Sequence, residues 1–171
     1  STLFPYTTLF RSPSMPAWLK GDPSRIRQVV LNLVNNAIKF TEAGAVQVRA
    51  VCLDGRDGKG SQVGQDGQLR VQISVIDTGI GMDEATLARL YEPFMQGSQG
   101  ITRKYQGTGL GLVIVQSLVQ AMGGKIDAHS IVGVGTTFTL ELSLKAFASI
   151  IREQHIATQL HKTETPITLT L

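Results

Sequence analysis

The chain is poor in several residue classes, and each shortage narrows what it can be. It has one cysteine, Cys52, in 171 residues. No internal disulfide can form and no second thiol exists for a metal site, a usage that fits a reducing compartment and points to the cytoplasm. Charge is sparse at 17% of residues, and the formal net charge of +3 is scattered without a basic block. That speaks against a nucleic-acid partner and against a polyanionic membrane surface. Long apolar runs are missing too. The longest, residues 110 to 122, is interrupted by Gln116, Ser117 and Gln120 and is too short to span a bilayer, so any membrane anchor of a parent protein would lie outside this chain. No internal repeat is visible. What remains, 42% hydrophobic residues, suffices to enclose one core, and one domain is the default reading.

Residues 2 to 12, TLFPYTTLFRS, resemble the conceptual translation of a sequencing-library adapter, the alternative being an ordinary frayed terminus. Residues 1–12 are therefore set aside as a non-native leader, and the natural chain is expected to enter near Pro13. Asp22-Pro23 then reads as a helix N-cap followed by proline at the first helical position. Ile26, Val29, Val30, Leu33, Val34 and Ala37 recur with helical period to about Phe40, and Gly44 is expected to end the helix. Val46, Val48 and Ala50 alternate with Gln47 and Arg49 as in a strand. The Gly-, Asp- and Gln-rich stretch 54–68 reads as an exposed hairpin loop. A second strand carries Val71, Ile73 and Val75 on one face, and the same alternation puts Asp77 on that apolar face. A short helix is predicted over 83–90 and a loop with two cations over 95–106. A further helix runs through Leu110, Val113, Ile114, Leu118 and Ala121 and closes at Gly123-Gly124. Two last strands, one with Ile126 and Ala128 and one with Phe138, Leu140, Leu142 and Leu144, flank a Gly133-Val134-Gly135 turn. The core is expected to end near Lys145, with 146–171 a linker or tail.

Three constellations in this frame suit chemistry. Asn32, Asn36 and Lys39 sit at i, i+4 and i+7 and share a stripe roughly 60° wide beside the apolar face. Asparagine is a poor interior helix residue, so two of them beside a core suggest that their amides are used. An amide carbonyl is a hard ligand for magnesium, and a lysine one turn on suits phosphate. Read alone, the stripe is equally the solvated face of a helix. Asp77-Thr78-Gly79-Ile80-Gly81 puts a carboxylate at an inward-facing strand end. Two glycines follow, which let backbone approach a flat ligand. The carboxylate can accept from an amino group such as that of adenine, or simply cap the following turn. Gly107-Thr108-Gly109-Leu110-Gly111 opens a helix and presents backbone N–H groups and the positive dipole end to an anion. It matches neither the P-loop nor the dinucleotide fingerprint, and a merely flexible loop is the alternative. Arg103 and Lys104 just before it could close onto phosphate oxygens or form a solvated basic loop.

The order of the pieces is far more specific than any one of them. DPSRIRQVVLNLVNNAIKFTEAG, VIDTGIGM, YEPFMQG, GTGLGLVIVQSLVQAMGG and GVGTTF together resemble the catalytic ATP-binding domain of sensor histidine kinases, within the wider gyrase, mismatch-repair and chaperone ATPase family. The resemblance covers residues 13–145. It implies a two-layer α/β sandwich, with a mixed β-sheet, helices packed on one face and a flexible ATP lid. It implies magnesium bound by Asn36, with Asn32 and Lys39 supporting the phosphates of ATP. Asp77 would read the adenine amino group, with Gly79 and Gly81 beneath the ring and Thr136 nearby. Phe94 would anchor the lid, Arg103, Lys104 and Tyr105 would close over the triphosphate, and Gly107, Thr108, Gly109, Leu110 and Gly111 would cradle it.

In the hydrolytic branches of that family a glutamate one turn before the magnesium asparagine activates water. Here that position is Asn32, and an amide cannot act as a general base near neutral pH. The resemblance therefore implies a kinase that binds Mg-ATP and hands its γ-phosphoryl group to a histidine elsewhere, with little intrinsic hydrolysis. Gln106 departs from the pattern where many members carry another glycine. The acceptor histidine of the family lies in an upstream helical hairpin, and His129, His155 and His161 lack that context. The implied partners are the histidine-containing dimerisation domain of a parent kinase and a downstream response regulator or receiver domain. A non-catalytic nucleotide-binding or partner-docking module is the alternative from another class, and a self-sufficient ATPase is a third reading that Asn32 argues against.

Overall fold

The computed structural model describes residues 6–11, 15, 16, 18–54, 67–93 and 110–146. In chain order the elements are β1 (Tyr6–Arg11), β2 (Leu19–Lys20), α1 (Pro23–Phe40), β3 (Ala45–Cys52), β4 (Gln68–Asp77), α2 (Glu84–Ala88), α3 (Gly111–Ala121), β5 (Lys125–Ile131) and β6 (Gly135–Ala146). The strands form one mixed sheet in the order β1-β3-β4-β6-β2, with β5 also paired to β6. β3, β4, β6 and β5 pair antiparallel, whereas β1 runs parallel to β3. β2 meets β6 at Leu19↔Ala146 and Lys20↔Lys145, beyond the end of β5, so both share one edge of β6.

The helices begin where the sequence says they should. Asp22 caps α1 by accepting from the Arg25 N–H at 3.0 Å, and Asp83 caps α2 by accepting from the Thr86 N–H at 2.8 Å. α3 closes on Gly123, whose φ of +69° favours glycine. The Gly123 N–H donates to the Gln120 carbonyl and the Gly124 N–H to the Val119 carbonyl, the paired bonds of a Schellman ending. The end of α1 differs from the reading above. Thr41 is its C-cap, in an extended conformation, and Gly44 lies three residues further on. The φ of +132° at Gly44 serves the entry to β3 instead, where a Cβ would stand 2.1 Å from Thr78 Oγ1. α2 is shorter than the 83–90 predicted, because its last turn tightens: the N–H groups of Arg89 and Leu90 bond three residues back, to Thr86 and Leu87.

One apolar layer joins helices and sheet. Val29, Leu33 and Ala37 of α1 and Val115 and Val119 of α3 pack with Val46, Val48, Val75, Phe138, Leu140 and Leu142 of three strands. Both helices thus cover one face, as expected for a two-layer sandwich. Cys52, Leu69 and Leu19 make a second, smaller cluster. His129 is exposed, on the face opposite Ile126 and Ala128. β1 lies within residues 1–12, which read as a non-native leader in the sequence. Its backbone extends the sheet at the β3 edge, and its Phe10 ring lies 5.2 Å from the Arg49 guanidinium. Among the described residues no helix is long and apolar enough to cross a membrane. Residues 55–66 of the hairpin loop expected over 54–68, and 147–171 of the linker or tail expected over 146–171, lie outside the described residues, while Gln68 already belongs to β4 and Ala146 to β6.

Candidate functional site

Among the described residues, a buried and hydrogen-bonded carboxylate stands at the C-terminal end of β4. Asp77 is only 7% exposed, at the end of a face that otherwise buries Val71 and Val75. Its Oδ1 accepts from the Gly79 N–H at 2.9 Å and from the Thr136 N–H at 3.2 Å. Burial pushes its carboxyl above the ordinary carboxylate value, against those two backbone donors. A carboxylate kept in so dry a place is expensive unless something repays it. Both described donors address one oxygen, and capping the Gly79 turn uses only the first of them.

The backbone around Asp77 is packed as closely as atoms allow. A Cβ at Gly79 would stand 2.3 Å from the Phe40 carbonyl oxygen, and one at Gly135 would stand 1.9 Å from the Asp77 carbonyl oxygen. Gly81 has φ +65°, and a Cβ there would meet the Ile131 carbonyl at 2.0 Å. Three loops are thereby tied together. The Ile80 N–H donates to Phe40 at the end of α1, the Gly133 N–H donates to Ile80, and the Thr78 N–H donates to Ala45. The Thr78 hydroxyl in turn accepts from the Ala45 N–H at 2.9 Å.

The Phe40–Ile80 bond is what relates α1 to this site. Asn36 lies one helical turn before Phe40, and Asn32 and Lys39 share its stripe. All three side chains are half-buried, which departs from a freely solvated face. Lys39 Nζ lies 5.1 Å from the Phe40 ring centroid. A shallow concavity along α1 is lined, among the described residues, by Pro23, Ser24, Arg27, Gln28, Leu31, Asn32 and Asn35. Of the candidates it includes Asn32 alone. Neither Asp77 nor the residues of its two backbone donors line that open groove.

Thr136 is 6% exposed and stands directly opposite Asp77 in the β4–β6 register. Leu110 is the half-buried N-cap of α3 and makes no side-chain capping bond, and Gly111 begins the helix. With no acidic residue in its first turn, α3 leaves its N-terminal dipole uncompensated from within. Phe94, Arg103, Lys104, Tyr105, Gly107, Thr108 and Gly109 lie outside the described residues. One participant was missed in the sequence. Ser130 accepts from the Met82 N–H at 2.8 Å and lies 2.9 Å from Thr136 Oγ1, and the alternation of Ile126, Ala128 and Ser130 was the signal that could have found it.

Residues 21–146 match the family model described as histidine kinase-, DNA gyrase B- and HSP90-like ATPase. The chain is 43% identical over 142 residues to the sensor histidine kinase AruS of Pseudomonas aeruginosa, covering 83% of this chain and 13% of that protein. It is 35% identical over 143 residues to the peroxide stress-activated histidine kinase mak2 of Schizosaccharomyces pombe, covering 84% of this chain and 6% of that relative. The chain thus spans a small part of the curated relatives it matches. Among solved structures, full-length ShkA in complex with AMPPNP superposes with a TM-score of 0.66 at 35% identity, over 82% of this chain and 26% of that one. The mycobacterial sensor histidine kinase MprB superposes with a TM-score of 0.61 at 22% identity, over 83% of both chains, a likeness of fold. The five ordered motifs, the buried carboxylate at the strand end and the match over 21–146 agree, and the chain belongs to the histidine kinase-, gyrase- and HSP90-like ATPase family, as an ATP-binding domain of the sensor histidine kinase type.

Proposed function

We propose that the chain binds Mg-ATP and donates the γ-phosphoryl group to a histidine on a separate dimerisation domain, in the cytoplasm, as one step of two-component signalling. The observation that carries this reading is Asp77, a buried acceptor held by two backbone donors beside glycines too crowded for any side chain. Such an acceptor matches the exocyclic amino group of adenine. The ShkA relative is described as complexed with AMPPNP, an ATP analogue.

Magnesium fits the residues present in one particular way. It is a hard cation that keeps several waters and is shared between one or two protein oxygens and substrate phosphates. Among the described residues no three His, Cys, Asp or Glu side chains converge to make a protein cage. The half-buried amide of Asn36, on a helix whose end is docked to the Asp77 loop, would hold the ion jointly with the nucleotide. When bound, the ion would neutralise phosphate charge. Asn32 and Lys39 would orient the phosphates, and Arg103, Lys104 and the 107–111 glycine segment would complete the enclosure.

In the transfer itself a ring nitrogen of the acceptor imidazole forms a bond to Pγ as the bond from Pγ to the ADP oxygen breaks, and catalysis rests on positioning and charge neutralisation. Asn32 offers no general base for water. The test is to mix the chain with the dimerisation hairpin of a related kinase and γ-labelled ATP. Acid-labile, alkali-stable label on the hairpin histidine is expected. No labelling while ATP is demonstrably bound, across hairpins from several relatives, would contradict transfer and favour a docking role.

A further inference from the structure

Asp77, Thr136 and Ser130 lie side by side across β4, β6 and β5, through the pairs Asp77↔Thr136 and Ser130↔Thr136. Directly opposed residues project from the same face of a sheet. The three therefore make one polar row at the end of the helix-covered face, next to the apolar row of Val75, Phe138 and Ala128. Ser130 is the anchor of that row. Its Oγ lies 2.8 Å from the Met82 nitrogen, 3.1 Å from the Gly135 carbonyl oxygen and 2.9 Å from Thr136 Oγ1.

A serine hydroxyl has one proton and two lone pairs. The Met82 amide can only donate, which takes one lone pair, and the Gly135 carbonyl can only accept, which takes the proton. One assignment satisfies all three contacts: the remaining Ser130 lone pair receives the hydroxyl proton of Thr136. The Thr136 proton is then committed inside the protein, and the lone pairs of its Oγ1 are what it can offer a ligand. The neighbouring Asp77 carboxylate, when ionised, also only accepts. Resting on the nucleotide reading above, we propose that Ser130 is a positioning residue that fixes Thr136 as an acceptor, so that the site takes 6-amino purines and rejects 6-oxo purines. A 6-oxo oxygen would set its lone pairs against those of Asp77 and Thr136, and although the N1–H of such a base could donate to one of them, the oxygen itself would stay buried and unpaired.

The test measures binding of ATP and of inosine triphosphate, which carries an oxo group in place of the 6-amino group, to the full chain near neutral pH. Wild type should prefer ATP by on the order of 100-fold or more. In Ser130→Ala the Thr136 hydroxyl is free to rotate and to donate. ATP affinity should fall roughly 3- to 10-fold while inosine triphosphate affinity holds or rises, which narrows the ratio. Ser130→Thr, which keeps the hydroxyl, should restore it. An unchanged ratio in folded Ser130→Ala, or equal losses for both nucleotides, would overturn the proposal and leave Ser130 a structural residue. Should that variant fail to fold, the near-isosteric Thr136→Val takes its place: the ratio must narrow there, and an unchanged ratio is equally fatal. Folded wild type that binds no ATP would overturn the nucleotide reading and this proposal with it, whereas wild-type binding with a ratio insensitive to Ser130 overturns only the role given to Ser130.

Discussion

At the scale of single residues, Asp77 sets function against stability. Burial raises its carboxyl above the ordinary value, so folding without ligand disfavours the charged form relative to the unfolded chain. The linkage follows with a definite sign: the contribution of Asp77 is most favourable below the ordinary carboxylate value and is lost as pH rises through the raised one. Asp77→Asn keeps an oxygen for the Gly79 and Thr136 N–H groups but carries no charge. It should melt roughly 2–4 °C higher than wild type near neutral pH if the gain is on the order of 1 kcal/mol, while ATP affinity collapses; thermal scans with and without nucleotide read both. Asp54 has the opposite sign. The Arg70 backbone N–H, and then the Arg70 side chain at 2.9 Å, hold its carboxyl below the ordinary value, so its contribution is present at neutral pH and is lost as pH falls through the lowered value. Gly135 is the most intolerant position of the site, with φ +135° and no space for a Cβ. Gly135→Ala should cost about 3 kcal/mol or more, measured by urea denaturation, and a loss below about 1 kcal/mol would show that the β5–β6 turn yields easily.

Strand alternation alone put Asp77 on the core face, which made the carboxylate legible before any fold was known. Ser130 obeyed the same alternation but carries no charge, and a lone serine at a strand end has no chemistry until its Thr136 neighbour is known. The crowding at Gly79, Gly81 and Gly135 was likewise invisible, because it depends on carbonyls from Phe40, Ile131 and Asp77.

Among elements, α1 has the most to do, since it covers the sheet and also delivers Asn32, Asn36 and Lys39. Leu33 is 1% exposed within the shared core, and Leu33→Ala should cost about 2–5 kcal/mol. Asp22→Ala, removing the cap, should cost about 1 kcal/mol. Urea titrations compare the two, and a cap loss as large as the core loss would contradict the view that packing rather than capping holds α1 in place. The helical period and the capping chemistry made α1 and α3 legible. β2 was not, because two residues have no measurable period, and β1 was not, because it joins β3 through backbone pairing that any extended segment can make. A glycine just past an apolar helical period reads as a helix end, but the close approach of Thr78 is what requires Gly44.

At the scale of the whole molecule, one sheet face buried under two helices leaves a polar row at its end, and the nucleotide reading is built on that edge. The fold class was legible because five motifs occur in a fixed order, which single glycines and carboxylates do not reveal separately. Without a glutamate at position 32 the chain alone should turn ATP over slowly, and rapid steady-state phosphate release would revive the reading as a self-sufficient ATPase. The most direct test of the central claim is calorimetry of ATP binding to the full chain, with and without Mg²⁺, beside folded Asp77→Asn and Asn36→Ala. We expect Mg²⁺-dependent binding by wild type, at least a 10-fold loss in Asn36→Ala (roughly 1.4 kcal/mol) and near-abolition in Asp77→Asn. Folded wild type that binds no ATP, or an Asp77→Asn variant that binds as wild type does, would contradict it.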